Sequence, residues 1–127
     1  MTPERDPGES GTDDASAPLL LCLHGHGMNE DWFALLLQKL FALPCRFVIP
    51  RAPLPLPSRS EKPAASWYDY DGDQPRFLEE LARVEAHLLE QLARIEEAMQ
   101  WTPRTRILLG FSQGGYAGAF VALRHPE

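Results

Sequence analysis

A strand pattern, Thr105-Arg106-Ile107-Leu108-Leu109, runs directly into Gly110-Phe111-Ser112-Gln113-Gly114, and a small-residue helix pattern leaves it. Few junctions restrict a fold as tightly. A serine between two glycines at a sharp strand-to-helix turn has its hydroxyl lifted above the end of the sheet, and the glycines give the backbone room to turn. The pattern requires a sheet strand that ends just before the serine and a helix that starts just after it. It makes Ser112 a candidate nucleophile.

The rest of the chain alternates strand and helix patterns, which predicts an α/β architecture with a parallel sheet and flanking helices. Leu19-Leu20-Leu21-Cys22-Leu23 is a continuous apolar run, the mark of a strand covered on both faces. Asn29 is placed to cap a helix through about residue 40, with Trp32, Phe33, Leu36, Leu37 and Leu40 at helical spacing. Cys45-Arg46-Phe47-Val48-Ile49 predicts a second strand. Pro50, Pro53, Pro55, Pro57 and Pro63 then predict a long extended, irregular excursion, because proline fixes φ and removes a donor. Trp67-Tyr68-Asp69-Tyr70 closes that excursion as an aromatic cluster docked on the body. The longest helix is predicted from about residue 74 to 99, capped by Asp73, with Leu81, Val84, Leu88, Leu92, Ile95 and Met99 in one stripe. Glu79-Arg83 and Glu90-Arg94 are spaced for ion pairs along it.

Composition narrows the partners. The formal net charge is -6, and residues 1–18 hold Glu4, Asp6, Glu9, Asp13 and Asp14 against Arg5 alone. Their Pro, Gly, Ser and Thr content predicts a disordered acidic tail, followed by one domain over residues 19–127. A chain without a basic stripe is not expected to bind nucleic acid or an anionic membrane surface. Its apolar runs fall short of the roughly 20 residues of a membrane span, so no integral membrane association is expected. Cys22 and Cys45 sit in separate apolar runs without Cys-x-x-Cys spacing, which predicts buried reduced thiols and a cytoplasmic location.

Acyl transfer through serine needs a raised nucleophile, a base, an orienter for the base, and donors where the oxyanion develops. Ser112 meets the first need. The N–H of Gln113, next after it, is one donor by the geometry of the turn. The Gly-rich loop Leu23-His24-Gly25-His26-Gly27 stands where a second donor is expected. Competing readings fail on particular residues. Tyr116 occupies the position where a P-loop needs lysine, and Glu30 stands in place of the third glycine of a dinucleotide fingerprint. His24 and His26, with Glu30 or Asp31, are read as structural rather than as metal ligands.

With these residues in hand, the chain resembles the phospholipase/carboxylesterase family of α/β-hydrolases, which includes the acyl-protein thioesterases. The resemblance rests on Leu23-His24-Gly25-His26-Gly27 with Trp32 downstream, on Ile49-Pro50-Arg51-Ala52-Pro53, on Trp67-Tyr68-Asp69, and on Gly110-Phe111-Ser112-Gln113-Gly114-Gly115. It covers residues 19–127 and implies hydrolysis of small-molecule carboxylic esters or thioesters through an acyl-enzyme, with no metal or organic cofactor. Ser112 is then the nucleophile, and the amides of His26 and Gln113 form the oxyanion hole. His26 departs from the family, which commonly has an aliphatic residue there.

The resemblance also places a catalytic aspartate and histidine on loops after the elbow helix, and it covers only the N-terminal portion of the family pattern. No such pair follows Ser112 in this sequence. His125 would lie about 20 Å along a helix from Ser112, and His87 falls on the wet side of the long helix. A pairing of Ser112 with His24 or His26 is not adopted. Weak ester turnover and weak thermal melting are therefore expected. The alternatives are a non-catalytic binding module with the same cleft, or a half-domain completed by another chain. Self-association through the exposed sheet edge of the elbow strand is expected on the same grounds.

Overall fold

The computed structural model describes residues 9–11, 16–56 and 64–126. In chain order the elements are β1 (Glu9–Gly11), β2 (Leu19–Leu23), α1 (Glu30–Leu36), a 3-10 turn (Gln38–Ala42), β3 (Arg46–Val48), β4 (Leu54–Leu56), β5 (Ala64–Ser66), α2 (Gln74–Ala98), β6 (Arg106–Gly110) and α3 (Gln113–Arg124). The main sheet has the order β1-β3-β2-β6. β2 lies between β3 and β6 and is parallel to both, so the chain has an α/β fold with a parallel core.

β2 is buried along its whole length, and alternation along it feeds two cores. Leu19, Leu21 and Leu23 pack with Val84 and Leu88 of α2 and with Ala117 and Val121 of α3. Leu20 and Cys22 pack on the other face with Phe33 of α1 and with Leu37, Phe47 and Ile49. The sheet is thus covered on both sides, which is why this strand reads as an unbroken apolar run.

The α2 stripe is as expected: Leu81, Val84 and Leu88 are buried, and Leu92, Ile95 and Met99 join the same core. The Asp73 side chain caps the helix by accepting from the Arg76 N–H at 3.4 Å. Arg94 pairs with Glu90 at 2.5 Å, whereas Arg83 pairs with Glu80 rather than Glu79.

Three expectations change. The first helix stops at Leu36, and the chain tightens into the 3-10 turn, with the Leu40 N–H bonded to the Leu37 carbonyl. This brings Phe41 edge-on against Phe47, with ring centroids 5.0 Å apart, and leaves Leu36 exposed. The proline excursion is partly ordered, since β4 and β5 pair antiparallel. Pro55 is accommodated because a two-stranded ribbon has outer edges that need no ladder donor; residues 57–63 lie outside the described residues. Within the expected tail, Glu9–Gly11 pair antiparallel with β3, so ordered pairing begins upstream of the expected boundary at 18. Residues 1–8 and 12–15 lie outside the described residues.

Among the described strands β6 pairs only with β2 and forms one edge of the sheet. No helix among the described residues is long and apolar enough to cross a membrane.

Candidate active site

Leu23 and Gly110 are partners in the parallel β2–β6 ladder. The loops leaving these strands must therefore emerge side by side at one end of the sheet. Their contact is direct. The Phe111 N–H donates to the Leu23 carbonyl at 3.0 Å, and the start of α3 lies hard against the backbone of residues 23 and 24. A Cβ on Gly114 would stand 2.3 Å from the Leu23 carbonyl oxygen and 2.5 Å from that of His24. One on Gly110 would stand 2.5 Å from the Gly115 Cα. Both glycines flanking Ser112 are thus fixed by close backbone approach.

Ser112 itself has φ 54° and ψ -116°, a conformation that disfavours every residue with a Cβ and costs on the order of 1–3 kcal/mol. It is exposed at the tip of the turn. Among the described residues no side chain hydrogen-bonds to its hydroxyl. Its carbonyl accepts the Tyr116 N–H at 3.1 Å, which starts α3.

The loop after β2 is a tight turn in which the Met28 N–H donates to the Gly25 carbonyl at 3.2 Å. Gly27 takes φ 78° in its third position, the signature of a type II turn. The turn is pinned to β5 by two backbone bonds, Gly27 N–H to the Ala65 carbonyl at 3.0 Å and Ala65 N–H to the Met28 carbonyl at 2.9 Å. Within it the His26 N–H has no acceptor among the described residues, and neither does the Gln113 N–H at the first position of α3. The two N–H groups thus lie, without acceptors among the described residues, on the loops that leave the paired strand ends Leu23 and Gly110.

The histidines separate cleanly by environment. His24 is fully buried, and its Nε2 accepts the Ala52 N–H at 3.1 Å, so the proton resides on Nδ1, which meets the Gly25 carbonyl at 2.8 Å. With both nitrogens engaged it staples the loop and is no base. Burial, the main cause, holds its pKa below the ordinary 6.5, helped by Arg51 and opposed by the Gly25 bond and Glu30. A depressed folded pKa means the unfolded chain binds the proton first. The contribution is complete above pH 6.5 and is lost as pH falls from there toward the folded value, at no more than about 1.4 kcal/mol per unit. Urea midpoints measured between pH 7.5 and 5 are expected to fall with acid, and His24→Gln is expected to flatten that slope.

His87 is not on a wet face. Its ring packs against Trp67 at 6.2 Å, and its Nε2 lies 3.5 Å from the Arg51 carbonyl oxygen. His125 sits at the far end of α3 with Nε2 3.6 Å from Glu85; the 12-residue helix puts it about 18 Å from the elbow. His26 is exposed, and its Nδ1 contacts the Ser66 Oγ at 3.1 Å. Among the described residues, none of the four is bonded to Ser112.

Contacts that sequence reasoning missed lie between these loops. The Gln113 side chain donates through Nε2 to the Ser66 Oγ and to the Tyr68 carbonyl, both at 2.9 Å, and accepts the Trp67 N–H on Oε1 at 2.9 Å. Trp67 is buried and donates its indole N–H to the His24 carbonyl at 2.8 Å. The available signal was a small polar residue, Ser66, between buried Ala65 and Trp67. Below the loop, Arg51 forks onto both oxygens of Glu30 at 2.8–3.2 Å, which raises the Arg51 pKa and holds residue 51 to the start of α1. Among the described residues no three His, Cys, Asp or Glu side chains cluster as a metal site needs.

Compared with known proteins, the chain matches the family model described as Phospholipase/Carboxylesterase over residues 9–127. No curated protein matches it.

Proposed function

The chain belongs to the phospholipase/carboxylesterase family and is a hydrolase of that type; from this premise we propose that it cleaves carboxylic esters or thioesters through an acyl-enzyme on Ser112. The observation that carries this reading is the backbone of Ser112, a non-glycine residue at φ 54° and ψ -116°, wedged between glycines that cannot bear a Cβ. Strain of this kind persists where the surrounding structure forces it, and it clusters at reacting residues.

In the proposed reaction the Ser112 Oγ attacks the acyl carbon and loses its proton to a base. The carbonyl oxygen takes up the negative charge and accepts from the N–H groups of His26 and Gln113. Collapse of the tetrahedral species expels the alcohol or thiol, and water then releases the acid. Each oxyanion donor is worth about 10²–10³ in rate. Among the described residues none of the four histidines is hydrogen-bonded to the Ser112 hydroxyl. The test is covalent: a fluorophosphonate probe is expected to add to Ser112, located by mass spectrometry of the digested protein. An adduct at another residue, or none, would overturn the assignment.

A cytoplasmic setting fits two free thiols, of which Cys22 is pushed up to about 12 by burial.

A second reading, a sheet completed by a second copy, is favoured by one feature. An apolar groove of about 370 Å³ runs beside β6, lined in part by Leu88, Leu92, Ile107, Leu108, Val121 and Pro126. Ile107 is 43% exposed there, and an open strand edge is a template for pairing. Sedimentation equilibrium is expected to give a mass above the monomer that rises with concentration, and Ile107→Lys is expected to return it to monomer. A monomer at every concentration would exclude this reading.

A further inference from the structure

The segment Ala65-Ser66-Trp67-Tyr68 touches both loops that carry the oxyanion donors. The Ala65 backbone pairs with Gly27 and Met28 on one loop. The Trp67 N–H and the Tyr68 carbonyl hold the Gln113 side chain on the other. Between them Ser66, 3% exposed, places a single hydroxyl within bonding distance of His26 and Gln113 together.

The hydrogens at that hydroxyl can be assigned by inventory. The Ser66 Oγ donates its one proton to the Tyr68 carbonyl at 2.7 Å. A hydroxyl has two further acceptor positions. The Gln113 Nε2 fills one at 2.9 Å, so the His26 Nδ1 at 3.1 Å must donate into the other. The His26 ring is therefore held as the Nδ1–H form, with Nε2 outward. Every hydrogen-bonding position of the Ser66 hydroxyl and of the Gln113 carboxamide used here is consistent with this one assignment.

We propose that Ser66 is a positioning residue that sets the separation of the two oxyanion donors, tying the His26 side chain to the Gln113 side chain through one buried hydroxyl. A hydrogen-bonded node of this kind fixes donor geometry before substrate arrives, and a misplacement of about 1 Å at a reacting centre is enough to cost on the order of 10²-fold. The aliphatic residue common at the His26 position cannot make this bond. In this chain the ring therefore adds a side-chain anchor to a loop otherwise held by backbone contacts and by His24. The role rests on the assignment of Ser112 as nucleophile and of the two amides as donors, and it has a readout independent of both.

That readout is the tautomer of His26, measured from the imidazole ¹⁵N shifts of the full chain at a pH where the ring is neutral. Wild type is expected to show Nδ1–H at His26 and at His24. Ser66→Ala is expected to move His26 toward Nε2–H, to leave His24 unchanged, and to slow fluorophosphonate capture at Ser112 by about tenfold or more. Ser66→Thr, which restores a hydroxyl, is expected to recover both. An unchanged His26 tautomer in Ser66→Ala, or an unchanged capture rate, would overturn the role. If wild type is not captured at all, the nucleophile assignment fails, and the tautomer comparison alone decides the clamp. Loss of the His24 signal would report unfolding of Ser66→Ala. In that case Ser66→Thr decides, because a His26 ring in the Nε2–H form there contradicts the bond.

Discussion

Replacing Ser112 with glycine is expected to abolish fluorophosphonate capture while making the fold more stable. The two effects have separate causes. Capture needs the Oγ, which glycine lacks, so the loss is complete. Stability is set by the backbone at φ 54° and ψ -116°, where a Cβ costs on the order of 1–3 kcal/mol and glycine is nearly free of strain. Glycine gives back part of that gain through the larger entropy of its unfolded chain. The net expectation is a stabilisation of about 1 kcal/mol.

Ser112→Ala is the control, because it removes the hydroxyl and keeps the Cβ. It is expected to abolish capture equally and to leave stability within about 0.5 kcal/mol of wild type. Urea midpoints for the three proteins, followed by far-UV circular dichroism, supply the comparison. If Ser112→Gly is no more stable than Ser112→Ala, the turn is not strained, and the principal support for a reactive serine is gone.

What was legible in the sequence follows from how local each signal is. The elbow is local: glycines at 110 and 114 around a serine, with a strand before and a helix after, determine the turn with little help from the rest of the chain. The core stripe of α2 is local in the same sense, since Leu81, Val84 and Leu88 share a face at helical spacing and all three are buried. β2 was readable because a strand covered on both faces has no alternation to misinterpret. The β4–β5 pairing was not readable, because it joins two short runs across a proline-rich stretch, and pairing partners leave no mark on either run alone. The role of Ser66 was hidden for the same reason. Its bonds to His26 and Gln113 span 40 and 47 positions, and only the fold brings them together. His87 misled because its position on α2 indicates which side it faces but not that Trp67 comes back to cover it.

Gly114→Ala is expected to be the most damaging single methyl in the chain. Its Cβ would stand 2.3 Å and 2.5 Å from the carbonyl oxygens of Leu23 and His24, and neither oxygen is free to retreat. The Leu23 carbonyl accepts the Phe111 N–H at 3.0 Å, and the His24 carbonyl accepts the Trp67 indole N–H at 2.8 Å. Relief therefore requires α3 to lift away from β2, which opens the packing of Ala117 and Val121 against Leu21 and Leu23. Overpacking with no flexible neighbour costs about 3 kcal/mol, and Gly115→Ala is the matched control. Gly115 lies one residue along the same helix, where the nearest atom to an added Cβ is at 3.3 Å, so only a small adjustment is needed. Native-state hydrogen exchange is the sensitive measurement, because a loss of about 3 kcal/mol speeds exchange roughly 10²-fold where global opening is a rapid pre-equilibrium. The Phe111 amide and the amides of the β2–β6 ladder are expected to lose that protection in Gly114→Ala and to keep most of it in Gly115→Ala. Equal protection in the two variants would mean that α3 does not bear on the backbone of residues 23 and 24. The Gln113 amide would then have no fixed position from which to donate to an oxyanion, as the proposed reaction needs.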